Sequence, residues 1–64
     1  MTPGRAIHRE VLRDIRHIEE FGGLVTRVRL EEPDFEALCE EFGLEGHRAV
    51  QLNRPRGAVR IQCL

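Results

Sequence analysis

The chain has 64 residues, 41% of them hydrophobic and 33% charged, and its formal net charge is −1. That length holds one domain with a small core and leaves no room for a second, while a charge so near zero supplies no overall field toward DNA or an anionic membrane. No run approaches the ~20 apolar residues that cross a bilayer, and Met1–Arg5 lead into no hydrophobic stretch of the signal-peptide kind.

All ten basic residues are arginine. Two readings fit: a composition biased toward arginine, or guanidinium groups used for bidentate recognition of carboxylate or phosphate. Cys39 and Cys63 fall at apolar positions and are expected as free core thiols, which suits an intracellular chain. Flexibility is expected only at residues 1–4.

Taken in chain order, residues 5–21 predict a helix. Ile7, Val11, Ile15 and Ile18 recur at steps of four, four and three, with Leu12 and Phe21 flanking the same stripe. The six together predict a broad buried face of about 180°. Gly22-Gly23 supplies the stop, because glycine takes the left-handed conformation that ends a helix. Residues 24–30 alternate with period two and predict a half-buried strand. Leu24, Thr26, Val28 and Leu30 are expected inward, and Val25, Arg27 and Arg29 outward.

Pro33 suits the first position of a second helix, and Asp34 and Glu36 favour the positive end of its dipole. Phe35, Leu38, Cys39 and Phe42 form its apolar stripe, and Gly43 its stop. Residues 47–53 and 58–64 predict a hairpin. Val50 and Leu52 mark one strand, and Val59, Ile61 and Cys63 the other, around the turn Arg54-Pro55-Arg56-Gly57.

The expected fold is one α+β domain over residues 1–64, in the order α-β-α-β-β. It forms a three-stranded sheet with two helices on one face. The β-α-β part suggests a right-handed parallel crossover followed by the hairpin. Such a sheet has two open edges above a thin core, and pairing an edge with another subunit or a partner relieves both.

The near-zero net charge hides a partition. Residues 1–30 carry six arginines and four acids, residues 31–45 seven acids and no base, and residues 46–64 four arginines and no acid. Arg5, Arg9, Arg13 and Arg16 share a sector of about 80° opposite the apolar stripe. They form either a basic binding face or a solvated face paired with Glu10, Asp14 and Glu20. The acidic stretch is either the outer face of the second helix or a docking element for an arginine-rich surface, including the arginine stripe of a second copy. Arg27, Arg29 and Arg60 are expected on the outward sheet face, with Arg54 and Arg56 flanking the turn. That face carries no aromatic residue, which argues against base stacking.

Chemistry-bearing motifs are sparse. The glycines do not form a phosphate loop, and a chain without serine has no serine triad. His8, His17, His47, Cys39 and Cys63 lack metal-ligand spacing, so no metal is expected, nor any cofactor. Glu40-Glu41 and Glu31-Glu32 are adjacent in sequence and do not face each other across a cleft. No catalytic residues are expected.

Residues 18–43 carry a helix ending at a Gly pair, the strand Leu24-Val25-Thr26-Arg27-Val28-Arg29-Leu30 and a short acidic helix through Phe35, Leu38, Glu41, Phe42 and Gly43. In this they resemble small proteins of tailed bacteriophages, many encoded among virion structural genes. The resemblance implies a non-enzymatic protein–protein interaction protein, an accessory virion component of capsid, connector or tail. Val25–Arg29 is also similar to a strand of small phage inhibitors of a host RNA polymerase. That similarity keeps open inhibition of a host polymerase or defence complex. A third expectation is weak, sequence-independent nucleic-acid binding. The expected contact residues are Arg27, Arg29, Arg54, Arg56 and Arg60 with Glu36, Glu40 and Glu41. The expected setting is the host cytoplasm or an assembled virion.

Overall fold

The computed structural model describes residues 2–64. Helix α1 spans Pro3–Glu20. Thr2 is extended, and its hydroxyl accepts a hydrogen bond from the Arg5 N–H at 3.3 Å, capping the first turn just ahead of Pro3. The stop works as the glycine pair implies. The Gly22 N–H donates to the Glu19 carbonyl and the Gly23 N–H to the Ile18 carbonyl, both at 3.0 Å, with Gly22 at φ +85°.

The buried stripe of α1 is narrower than its periodicity predicts. Val11 and Ile15 are buried and Ile7 packs against the core, but Ile18 is 46% exposed and Phe21 80% exposed. In the last turn it is Glu19, and not Ile18 or Phe21, that faces the rest of the molecule: its side chain is mostly buried against Arg54. Strand β1 spans Arg27–Leu30.

β1 is also shorter than the predicted strand. Leu24, expected inward, is 63% exposed, and Thr26 is exposed as well, while Val25, expected outward, packs against the core. Alternation between faces is enforced only where a strand is pleated into a sheet. Here the pairing begins at Arg27, so residues 24–26 form a connection whose side chains follow no pleat.

Helix α2 spans Glu32–Phe42. Pro33 therefore takes the second position, with Glu32 and Asp34 in the first turn. Gly43, at φ +67°, ends it, and the Leu44 N–H donates to the Cys39 carbonyl at 2.8 Å. Strands β2, Ala49–Arg54, and β3, Gly57–Cys63, form the hairpin.

The order of secondary-structure elements and the α+β class are as predicted, but the strand pairing differs. The sheet order is β1-β3-β2, with β3 parallel to β1 and antiparallel to β2. The parallel partner of β1 is thus the last strand, and not β2 as a simple crossover would give. The strand carrying Val59 and Ile61, both buried, takes the centre, where burial is greatest.

One cluster forms the core: Val11 and Ile15 from α1, Phe35, Leu38 and Cys39 from α2, and Val50, Val59 and Ile61 from the sheet. Both helices lie on one face of the sheet, and no helix crosses a membrane-length apolar span among the described residues. The helices meet closely at the start of α1. Gly4 is buried, and a Cβ there would run into the Ala37 carbonyl and lie 2.8 Å from the Glu41 Cβ. The Thr2 hydroxyl donates to Glu41 Oε2 at 2.7 Å, and the His8 ring meets Phe42 edge-on at 4.8 Å. Of the four residues expected to be flexible, Met1 lies outside the described residues, and Thr2–Gly4 form this cap and docking contact.

Gly4→Ala is expected to lower stability by about 1–3 kcal/mol, because overpacking against α2 outweighs a helix-propensity gain of at most about 1 kcal/mol. Urea unfolding checks this, and an unchanged or raised midpoint would refute the close approach.

Candidate functional site

The open face of the sheet is set by register. Arg27 of β1 lies opposite Arg60 of β3, and Gln51 of β2 lies on the other side of Arg60. The next row places Arg29 opposite Gln62, with Ala49 beyond it. Asn53 and Ala58 complete the face, which therefore holds three arginines, three amides and no carboxylate. All three arginines are exposed. Cβ atoms directly across neighbouring strands lie about 5 Å apart, and like charges so placed cost stability. Nothing on this face neutralises Arg27 and Arg60, so its charge is not there to hold the fold together.

Arg54 is placed differently from the other expected contact residues. It shares its side of β2 with Val50 and Leu52 and points toward the helices. Its Nη2 donates to Glu19 Oε1 at 2.9 Å, with the two side chains 19% and 15% exposed. Its Nε is buried without a partner. Arg54 is thus an internal tie between the hairpin and the end of α1, while Arg56 stands exposed in the turn beside it.

The tie brings the last turn of α1 to the hairpin end of the sheet. Ile18, Phe21 and Leu24 are exposed in this segment, and Arg27 follows three residues after Leu24. Periodicity assigned all three to the interior, so sequence reasoning missed them as surface residues. The available signal was the glycine pair, which ends the helix between them.

The acidic residues do not join the arginine face. Glu36 and Glu40 line a groove of about 680 Å³ between α2 and the 45–48 segment. Glu41 is engaged by Thr2. Arg5, Arg9, Arg13 and Arg16 are exposed along α1, and the expected pairings with Glu10, Asp14 and Glu20 are not made. Among the described residues Arg54–Glu19 is the one ion pair.

Both thiols are free and border the groove. Burial, then the charges of Glu45, Cys63 and Glu36, push the buried Cys39 thiol up from its ordinary value. A nucleophile needs the opposite shift. The His47 ring Nδ1 lies 3.0 Å from the Leu44 carbonyl, and the His17 ring meets Phe21 edge-on at 5.1 Å. No cluster of three metal-ligating side chains occurs among the described residues. Comparison with protein-family models, curated proteins and solved structures finds no match to the chain.

Two outcomes follow. Glu19→Gln is expected to cost about 1–3 kcal/mol by leaving a mostly buried guanidinium unpaired, whereas Arg60→Gln should cost nothing or stabilise slightly. Unfolding curves of the two variants side by side decide it. The folded Cys39 pKa is raised, so its contribution to stability is full below the ordinary thiol pKa and lost as pH rises toward the folded value. Wild-type stability should therefore fall with pH above about 8.5, and Cys39→Ala should flatten that slope. A slope unchanged in the variant would remove Cys39 as the cause.

Proposed function

We propose that this chain is a non-enzymatic interaction protein that docks an anionic protein partner on its open sheet face and on the apolar end beside it. The observation that carries the reading is an uncompensated basic sheet face with exposed apolar side chains close by in the chain, Leu24 standing three residues ahead of Arg27. Arginines 27, 29 and 60 stand uncompensated on the face, and Arg56 with exposed Phe21, Leu24 and Ile18 stands at its hairpin end. Arginine and aromatic residues around an apolar patch are what protein interfaces enrich. Guanidinium groups pair with carboxylates in bidentate fashion, which adds register to charge.

The virion setting, as an accessory capsid, connector or tail component, rests on the resemblance of residues 18–43 alone. The same surface would serve an inhibitor of a host polymerase or defence complex, and the identity of the partner separates the two. Nucleic-acid binding is favoured less. Phosphate contacts would use the arginines, but they would leave Phe21 and Leu24 without a role, and the sheet face has no aromatic on which a base could stack. Catalysis finds little support, because the best-placed thiol is buried and held protonated.

The test is affinity capture from nuclease-treated lysate of infected host cells, with the wild type beside Arg27→Glu/Arg60→Glu and Phe21→Ala. A stoichiometric protein should be retained by the wild type and lost, at least about tenfold, with either variant. A virion protein and co-purification with particles would give the structural role, and a host multisubunit complex the inhibitor role. Retention that vanishes with nuclease, or that survives both variants, would overturn the proposal.

A further inference from the structure

The helices carry two charged rows that the fold leaves unpartnered. On α1, Arg5, Arg9 and Arg13 repeat every four residues, and Arg16 extends the row by a turn. On α2, Glu32, Glu36 and Glu40 repeat at the same spacing, and Glu45 on the following segment lines the same groove. Four residues of helix rise about 6 Å, so the rows share one pitch and have opposite sign. All eight side chains are exposed, and none forms an ion pair within the chain among the described residues. The acidic row lines the groove of about 680 Å³ together with buried Phe35 and Cys39 and with exposed Arg48. The basic row lines a smaller depression that also holds half-buried Leu12.

From these complementary rows we infer that the chain self-associates head to tail, with the arginine row of α1 from one copy seated along the acidic groove of α2 in the next. Matching in sign, number and pitch is the argument for a second copy as the occupant. One sequence supplies both halves, and neither half is used inside the fold. The two surfaces are different, so the contact is heterologous. It closes into a ring, the smallest being a two-fold pair in which both contacts form reciprocally, or continues as an open chain. Exposed ion pairs are individually weak and screened by salt, so the association depends on concentration and ionic strength. The inference rests on the reading of the chain as an interaction protein, but it uses none of the sheet-face residues.

The experiment is light scattering of the full chain across a concentration series, at about 0.01 M and about 1 M salt, where the Debye length is about 30 Å and about 3 Å. Mass above the monomer is expected at low salt and monomer at high salt. Arg9→Glu/Arg13→Glu and Glu36→Arg/Glu40→Arg should each be monomeric at low salt, because like charges then face each other. Mixing the two variants should restore association, since each supplies the row that the other has inverted. Circular dichroism checks that both variants are folded. If either is not, the neutral pairs Arg9→Gln/Arg13→Gln and Glu36→Gln/Glu40→Gln replace them, and both should weaken association. A wild type that stays monomeric at low salt, charge-reversed or neutral variants that associate like the wild type, or a mixture of folded reversed variants that stays monomeric would each overturn the inference. Arg27→Glu/Arg60→Glu should leave self-association unchanged. Its loss there would assign the contact to the sheet face and overturn the row-to-groove contact, while failure of the row variants alone leaves the sheet-face proposal standing.

Discussion

Burial of β3 beneath the two helices is the constraint on which the rest depends. Val59 and Ile61 share one cluster with Ile15 of α1 and Leu38 of α2, and these four are the most deeply buried side chains of the molecule. A chain of this size can fill one such layer and no more. Once the helices occupy one face of the sheet, no element among the described residues covers the other, and the outward side chains of all three strands lie on that open face. Because β3 is central, it sets the register of both neighbours. It places Arg60 between Arg27 and Gln51, and so assembles a basic face from residues far apart in sequence.

The helix layer obeys a second constraint, the use of small residues where backbones approach. Gly4 lies against Ala37, and the Thr2–Glu41 and His8–Phe42 contacts extend that seam. A seam made of small residues leaves the long side chains on the opposite flanks. Arginine on α1 and glutamate on α2 therefore stand outward without intramolecular partners. The hairpin end is held by a different device. Arg54 and Glu19 are mostly buried and mutually bonded, so this pair fixes where the end of α1 sits relative to the turn. A mostly buried pair gives little net stability over an apolar pair but penalises the loss of either member. That suits a tie that specifies position.

The helices and the hairpin were legible because their periodicities are local. Ile7, Val11 and Ile15 announce a helix, and Val59-Arg60-Ile61 a strand, whatever they pack on. What could not be read locally was set by tertiary extent. Ile18 and Phe21 continue the helical period, but in the last turn the side turned to the molecule carries Glu19, bonded to Arg54. Leu24 and Thr26 continue the strand period but precede the point where pairing enforces it. Strand order depends on which strand best fills the centre, and alternation within one strand says nothing of its neighbours. Arg27, Arg29 and Arg60 were legible as outward because they alternate with inward aliphatic residues, half-buried Val28 and Leu30 in one strand and buried Val59 and Ile61 in the other. Arg54 was read with Arg56 as flanking the turn and counted among the contact residues, although its strand position places it elsewhere. It has the parity of Val50 and Leu52, and that parity puts it on the helical side.

The two kinds of arginine in this sheet show how the fold separates structure from surface. Arg54 occupies an inward position at the strand end, where its guanidinium reaches Glu19. Arg27 and Arg60 occupy outward positions at mid-strand, where no acid is within the same face. Replacing one of the latter by an amide removes repulsion from the folded state, so folding alone does not account for them. A guanidinium stays charged at every physiological pH, which makes the repulsion permanent until an anionic surface meets it. In a domain whose stability is drawn from one thin layer, that standing cost is the physical ground for proposing an interface there.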